Sequence, residues 1–329
     1  MLERAELEDM VTERTPLTAH VGKSGAGLER WVLHDGGTLI VKRLVPDLDF
    51  LMALTHDTSG RELTLWQSGL LDHLPEGVEH AIVGGWREGE GALLVMRDLA
   101  DTFLTWDDRL DEHRCRWLMG RLAALHRSGA ELSLDPWKEQ LTPLPDYLTM
   151  FSPTRVRALV GKSPLPELSL RGWELFQQTV GADVAGPVVS LLHDPAPLVT
   201  ALRRRPSTLV HGDFVVVNMA LAADVLTLVD WSVAGAAPGA LDVARFLAGC
   251  SAVVDLTREQ TMEAYAVAAG SAFDEPALRL ALLAGLVWLG WNKALDAHEH
   301  PDAAIRERER EDLDWWVGQA RTTLGSGLL

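Results

Sequence analysis

Cysteine is scarce in this chain, with 2 among 329 residues, at Cys115 and Cys250. Two thiols cannot build a disulfide framework for a chain of this size, and they fall short of a Cys-rich four-ligand zinc site. Long apolar runs are missing too. The longest, Leu280 to Trp291, is a dozen residues, against the roughly 20 that a membrane-spanning helix needs. Positive charge is in deficit: Lys and Arg total 30 against 47 Asp and Glu, a formal net charge of −17. Such a surface repels phosphate backbones and anionic lipid, so neither nucleic acid nor a membrane is expected as a partner. The single basic run, Arg203 to Arg205, reads as a solvated helix end. Tyrosine is nearly absent, with 2 residues against 12 tryptophans, and scattered indoles usually pack cores. The first residues, Met1 to Glu6, are charged with no apolar stretch behind them, so no signal peptide is expected and a cytoplasmic location is.

What is present is ordinary for a globular protein: 47% apolar and 23% charged residues. The length suits two domains or one enzyme with two lobes. Residues 1 to about 100 read as β-rich. Short β-type runs at Trp31–His34 and Thr38–Lys42 flank the hairpin signal Asp35-Gly36-Gly37. A helix is expected from Ser59 through Leu71. Two further strands, Ala81–Val83 and Ala92–Met96, are expected to be split by the Gly-rich stretch Gly84 to Gly91. After the turn-like segment Arg97–Asp101 the chain becomes mostly helical. Trp117, Leu118, Leu122 and Leu125 recur at helical spacing between His113 and Ser128, and Gly129 sits where a C-terminal cap belongs. Residues 131–206 are punctuated by proline and carry amphipathic segments such as Leu170 to Val180. Two β-type runs follow, near Thr208–Val210 and Leu226–Val229, and the tail from Leu241 reads as helices. The pattern predicts two lobes with a ligand cleft between them.

The sharpest signal is His211-Gly212-Asp213-Phe214-Val215-Val216-Val217-Asn218, followed by Leu228-Val229-Asp230-Trp231. Lying between β-type runs, it should form loops at strand ends. An acid, an amide five positions later and an acid on the next strand are what phosphoryl transfer from a nucleotide needs. One carboxylate orients the accepting hydroxyl and receives its proton. The amide oxygen and the other carboxylate hold Mg²⁺ against the phosphates. The Asp-x-x-x-x-Asn spacing is that of the protein-kinase catalytic loop. The competing reading of His211 and Asp213 is a satisfied loop pair, or two ligands of an unrelated hydrolytic metal site.

These residues resemble the aminoglycoside phosphotransferase family, small-molecule kinases with a protein-kinase-like fold. Its His-Gly-Asp-x-x-x-x-Asn loop matches 211–218, its metal-binding Asp followed by Trp matches Asp230-Trp231, and its later Gly-x-x-x-Asp-x-Ala pattern is approached by Gly239 to Ala244. Leu122-Ala123-Ala124-Leu125-His126 matches its Leu-x-x-Leu-His helix end. The resemblance spans roughly Gly22 to Phe246. It implies an α+β, two-lobed fold: a small β-rich N-terminal nucleotide-binding lobe over 1–97, a hinge over 98–102, and a larger α-helical lobe over 103–329 with a helical insert at about 131–206. Asp213 would be the catalytic base or hydroxyl orienter, Asn218 and Asp230 the Mg²⁺ ligands, His211 and Asp242 structural supports. His126 reads as a residue packed beneath the site. Gly212 stands where many protein kinases carry a phosphate-answering Arg, and only eleven residues separate Asp230 from Asp242. Both features favour a small-molecule acceptor over a protein.

The resemblance also gives the first lobe its roles. Lys42 would contact the α- and β-phosphates of ATP, or of GTP, positioned by Glu62. Ser59-x-x-Glu62 also reads as a capping box, in which Glu62 would only satisfy backbone donors. Gly22-Lys23-Ser24 is not a P-loop, because position 17 is Leu17 rather than glycine. Backbone amides around Ser24, Gly25, Ala26 and Gly27 are expected to cover the phosphates, and Arg97, Asp98, Leu99 and Ala100 to meet the adenine edge. The acceptor, a small molecule with a hydroxyl, should lie over Asp213. It could be cationic, drawn by Asp255, Asp274, Glu275, Glu299 and Asp302, or carry a flat ring for Trp288, Trp291, Trp315 and Trp316. The ordinary readings are solvated helix faces and core packing.

Overall fold

The computed structural model describes residues 4–17, 27–46 and 48–329. The first lobe runs α1 (Arg4–Asp9), β1 (Val11–Pro16), β2 (Gly27–Leu33), β3 (Thr38–Leu44), α2 (Phe50–Leu54), α3 (Arg61–Gln67), β4 (Val78–His80), β5 (Ile82–Glu88) and β6 (Gly91–Arg97). Five of these strands form an antiparallel sheet in the order β1-β2-β3-β6-β5. Alternation along the strands gives it two apolar faces. Val41, Leu93 and Val95 join Trp31 on one face, where Leu7 of α1 covers them. Leu44, Leu94 and Met96 turn to the other face and share the main core with Leu63 and Leu65 of α3. That alternation puts Lys42, the neighbour of Val41, on the inner face toward α3. The hairpin at Asp35-Gly36-Gly37 forms as expected.

Two expectations for this lobe are corrected. The Gly84–Gly91 stretch separates the strands only at Gly89–Glu90, because β5 runs through to Glu88 paired with β6. The small residues there leave room, as at Gly85, where a Cβ would lie 2.6 Å from Leu63 of α3. The helix expected over Ser59–Leu71 is α3 followed by a separate 3-10 turn at Leu70–His73, since Gly69 takes φ +78° between them.

The second lobe comprises α4 (Glu112–Glu131), α5 (Leu144–Thr149), α6 (Pro153–Val156), α7 (Pro164–Thr179), α8 (Ala182–His193), α9 (Ala196–Arg203), β7 (Thr208–Val210), β8 (Met219–Ala222), β9 (Val225–Leu228), β10 (Gly235–Ala237), α10 (Ala240–Cys250), α11 (Arg258–Ala269), α12 (Glu275–Glu299) and α13 (Ala303–Leu324). Side-chain caps begin four of the long helices: Asp111 for α4, Thr257 with Gln260 for α11, Asp274 for α12 and Asp302 for α13. Gly129 does not cap α4. It lies inside the helix where β7 crosses, and a Cβ there would meet Thr208 Oγ1 at 2.5 Å. His126, expected at a helix end, likewise lies within α4. By length and composition α12 could cross a membrane, yet 89% of its apolar window is buried inside the fold.

Short strands set the cleft. β7 pairs with β10, and β8 with β9, so the segment 211–218 leaves β7 and enters β8, while 229–234 links β9 to β10. β4, though early in the chain, pairs in parallel with β9. The protein-kinase-like, α+β architecture expected from the sequence is the one observed.

Candidate active site

Both loops owe their shape to backbone constraints. Gly212 has φ +82°, and a Cβ there would sit 2.4 Å from the Val233 carbonyl oxygen. Only glycine permits that left-handed turn and that contact together. Asp242, fully buried on α10, accepts from the backbone N–H of His211 at 2.8 Å and of Gly212 at 2.7 Å. His211 accepts from the Asp213 N–H through Nδ1 at 3.3 Å, sets Nε2 3.0 Å from the Val229 carbonyl oxygen, and packs against the Trp231 ring. With both ring nitrogens engaged by backbone, His211 braces the two loops and has no nitrogen left for a metal, which removes the hydrolytic metal-site reading. His126 supports Asp242 from below at 3.1 Å and contacts the Tyr265 hydroxyl at 2.8 Å.

On the second loop Asp230 takes φ +63°, ψ +62°, an uncommon conformation for a non-glycine residue. It aims the carboxylate at β3, where Oδ1 accepts from Lys42 Nζ at 2.9 Å. Lys42 also donates to Glu62 Oε2 at 2.8 Å, and the other Glu62 oxygen faces the Trp231 N–H at 3.4 Å. The capping-box alternative is not realised. Gly60 is the N-cap of α3, and Asp57 accepts from the Arg61 N–H instead. Burial pulls the Lys42 pKa down, but Asp230 and Glu62 outweigh it and the net shift is upward, so the ammonium stays charged. Burial pushes Asp230 up, and the Lys42 charge overrides it and holds Asp230 low.

Asp213 and Asn218 stand together on the first loop. The Asn218 amide nitrogen donates to the Asp213 carbonyl and to Asp213 Oδ2, both at 2.9 Å. That leaves the Asn218 oxygen for a cation. An amide oxygen and the Asp230 carboxylate are hard donors, the kind that suit Mg²⁺ shared with phosphate oxygens.

Among the remaining expected residues, Ser24, Gly25 and Ala26 lie outside the described residues, and Gly27 begins β2 opposite Arg43, next to the Leu28–Lys42 pair. Arg97 ends β6 in an exposed ion pair with Glu79, while Asp98 pairs with Arg30 at 2.8 Å and accepts from the Ala100 N–H. Leu99 is half-buried against the main core.

The acidic wall does not form as an unpaired surface. Asp255 pairs with Arg109, Asp274 with Arg205, Glu275 with Arg279 and Glu299 with Arg171, while Asp302 caps α13. Arg203 and Arg204 are exposed at the end of α9, as expected for that basic run, while Arg205 is half-buried in its pair with Asp274. Trp288, Trp291 and Trp316 are buried, and Trp315 donates to Glu259.

Four residues near the site have no role assigned by the sequence. Asp49 caps α2 close to Lys42, and burial pushes its pKa up to about 6. Arg61 spans the lobes. Tyr147 donates to the Gly212 carbonyl at 2.8 Å. Arg245 donates to Asp213 at 2.7 Å. Only Arg245 had a legible signal, since it follows Asp242 by three residues and so shares its helix face.

A sequence profile described as the phosphotransferase enzyme family matches residues 65–281, about two-thirds of the chain. No curated protein matches the sequence. Solved structures of similar fold include choline kinase LicA from Streptococcus pneumoniae, with 13% identity, a TM-score of 0.53 and 94% of each chain covered. Amicoumacin kinase hAmiN, solved with AMP-PNP, Ca²⁺ and Ami, has 12% identity and a TM-score of 0.53 over 95% of this chain and 88% of that one. Aminoglycoside phosphotransferase APH(2'')-Ib, solved with ADP, has 15% identity and a TM-score of 0.52 over 97% of each chain. At such identities the likeness shows the fold.

Proposed function

The chain belongs to the phosphotransferase enzyme family, and from that premise we propose that it moves the γ-phosphoryl group of ATP, or of GTP, onto a hydroxyl of a small molecule, foremost an antibiotic. The observation that carries this reading is the Lys42–Glu62–Asp230 cluster beside the Asp213–Asn218 pair, the two loops being joined where the Val229 N–H donates to the Asn218 carbonyl oxygen at 3.0 Å. In this reading residues 1–97 hold the nucleotide, 98–102 form the hinge, and 103–329 supply the catalytic loops and the acceptor site. The activity would reside in the cytoplasm, where nucleoside triphosphate is plentiful.

Each residue then has a task. Lys42 trades its hold on Asp230 for the α- and β-phosphates while Glu62 keeps the ammonium in place. Asn218 and Asp230 hold Mg²⁺, which, when bound, neutralises charge on the phosphate oxygens. Asp213 accepts a hydrogen bond from the acceptor hydroxyl and aims its oxygen in line with the γ-phosphorus. The new bond joins that oxygen to phosphorus, the bond from phosphorus to the β–γ bridging oxygen breaks, the hydroxyl proton passes to Asp213, and ADP departs with the electron pair. Asp242 and His211 keep both loops fixed, and such preorganisation is the main contribution a protein makes to this transfer.

A nucleotide-consumption screen with Mg²⁺ against antibiotics and primary metabolites tests the proposal. The expected result is turnover stimulated by at least one hydroxyl compound and lost in Asp213→Ala. Consumption of a compound without any nucleotide would refute it. A metabolic kinase acting on a choline-like alcohol, a sugar or homoserine is the alternative. It is favoured by the internal pairing of the acidic residues first considered for a polycation, and predicts no protection of a sensitive host across an antibiotic panel.

A further inference from the structure

Asp213 is gripped from a side that the loop motifs do not reach. Its Oδ2 meets Asn218, while Oδ1 accepts from Arg245 Nε at 2.7 Å. Arg245 projects from α10 on the same face as Asp242, so one helix anchors the loop backbone and the loop carboxylate together. Its guanidinium carbon lies 4.9 Å from the centre of the Trp288 ring on α12. Trp288 stacks at 5.1 Å and 22° on Tyr147, whose hydroxyl donates to the Gly212 carbonyl. Gly249, one turn further along α10, makes the room, since a Cβ there would stand 2.5 Å from Arg245 Nη1. The Arg245 side chain is only 13% exposed. An indole face, a missing side chain and a carboxylate thus hold one guanidinium in place.

We propose that Arg245 is a positioning residue for phosphoryl transfer, fixing the Asp213 carboxylate so that an acceptor oxygen is aimed at the γ-phosphorus. This rests on the kinase reading above. A carboxylate held by Asn218 alone keeps rotational freedom about two side-chain bonds. A charge-assisted bond from Nε to one oxygen is short and directional, and a guanidinium wedged against Trp288 cannot follow the carboxylate if it turns. The ring face attracts the cation and excludes water from one side of the pair. Tyr147 extends the same stack to the Gly212 carbonyl, so that the loop backbone and the Asp213 side chain are set by one packed unit built from α5, α10 and α12.

The test uses water as the acceptor, so that no natural substrate is needed. Hydrolysis of Mg²⁺·ATP is measured for the wild type, Arg245→Met, Arg245→Lys and Gly249→Ala, with melting temperatures alongside. Misplacing a reacting group by about 1 Å costs on the order of 100-fold in rate. Arg245→Met is therefore expected to lower kcat by about 10- to 100-fold while KM for ATP changes less than about twofold, and Arg245→Lys to recover part of the loss. Gly249→Ala keeps both charges and displaces the guanidinium, and is expected to follow Arg245→Met. If Arg245→Met does not fold, the lysine and alanine variants carry the same comparison. Wild-type kcat in Arg245→Met or in Gly249→Ala overturns the proposal. So does a loss in which Lys and Met variants are equal and KM rises with falling melting temperature, the mark of a merely structural role. No hydrolysis by the wild type, together with no nucleotide binding, overturns the underlying kinase reading instead.

Discussion

Asp49 shows how a single group near the cleft can oppose the fold it helps to build. Its side chain caps α2 by accepting from the Met52 N–H at 3.0 Å, yet burial raises its carboxyl from an ordinary 3.8 to about 6, with Lys42 drawing it down and Asp230 pushing it up. The folded chain therefore holds this proton more tightly than the unfolded chain does. The carboxyl costs nothing below about pH 4, and stability is lost as pH rises through about 6. Asp49→Asn keeps an N-cap of equal quality and removes the charge. Denaturant unfolding at pH 7.5 should find this variant more stable by up to about 3 kcal/mol, with the gain shrinking toward zero near pH 4. A gain independent of pH would mean that burial of the charge is not its source. At this scale the sequence was most legible where chemistry demands short spacing, as with Asp213, Asn218 and Asp230. It was least legible for Asp49, whose neighbours Lys42 and Asp230 come from distant elements.

Among elements, α3 joins the lobes through one side chain. Arg61 is buried and donates to the carbonyls of Gln140 and Ser232 and to both the hydroxyl and carbonyl of Thr55. Ser232 lies two residues after Asp230, so Arg61 ties the Asp230 loop to the helix that carries Glu62. Arg61→Met should leave several buried acceptors without donors, lower stability by about 2–4 kcal/mol, and reduce kcat more than nucleotide affinity. Comparing unfolding midpoints with steady-state kinetics checks both. The start of α10 is as tightly built. A Cβ on Gly239 would fall 2.4 Å from His126 Nδ1, and His126 is what supports Asp242. Gly239→Ala should cost about 1–3 kcal/mol by overpacking and depress turnover through the loop, measured by the same pair of assays. Unchanged stability would show that α4 can yield. The extent of α4 was legible from apolar spacing, which places a helix over His113–Ser128 where Glu112–Glu131 forms. They were misread at Gly129 and Gly85, because glycine there serves close packing against β7 and α3, and a sequence does not distinguish that from a turn or cap.

On the scale of the molecule, the lobes are joined by a strand pairing as well as by the chain. β4 belongs to the first lobe in sequence but extends the β8–β9 sheet, from whose ends the Asp213 and Asp230 loops run, a long-range pairing that no local pattern announces. The net charge of −17 has a similar lesson. It suggested a surface drawn to cations, but the acidic residues first considered for that role are tied to arginines of the chain itself or cap helices. The two-lobed form was legible because a β-rich segment, a polar turn and a helical remainder follow one another in order. The packed unit of Tyr147, Arg245 and Trp288 was not, since its members lie on three helices spread over 142 residues. The account as a whole claims that Asp230 and Asp213 serve one magnesium-bound triphosphate. Following ADP release from Mg²⁺·ATP with wild-type protein and Asp230→Asn side by side tests it most directly. The account predicts magnesium-dependent turnover in the first and a fall on the order of 100-fold or more in the second, with an unchanged melting profile at its core. Equal rates in the two proteins would contradict it.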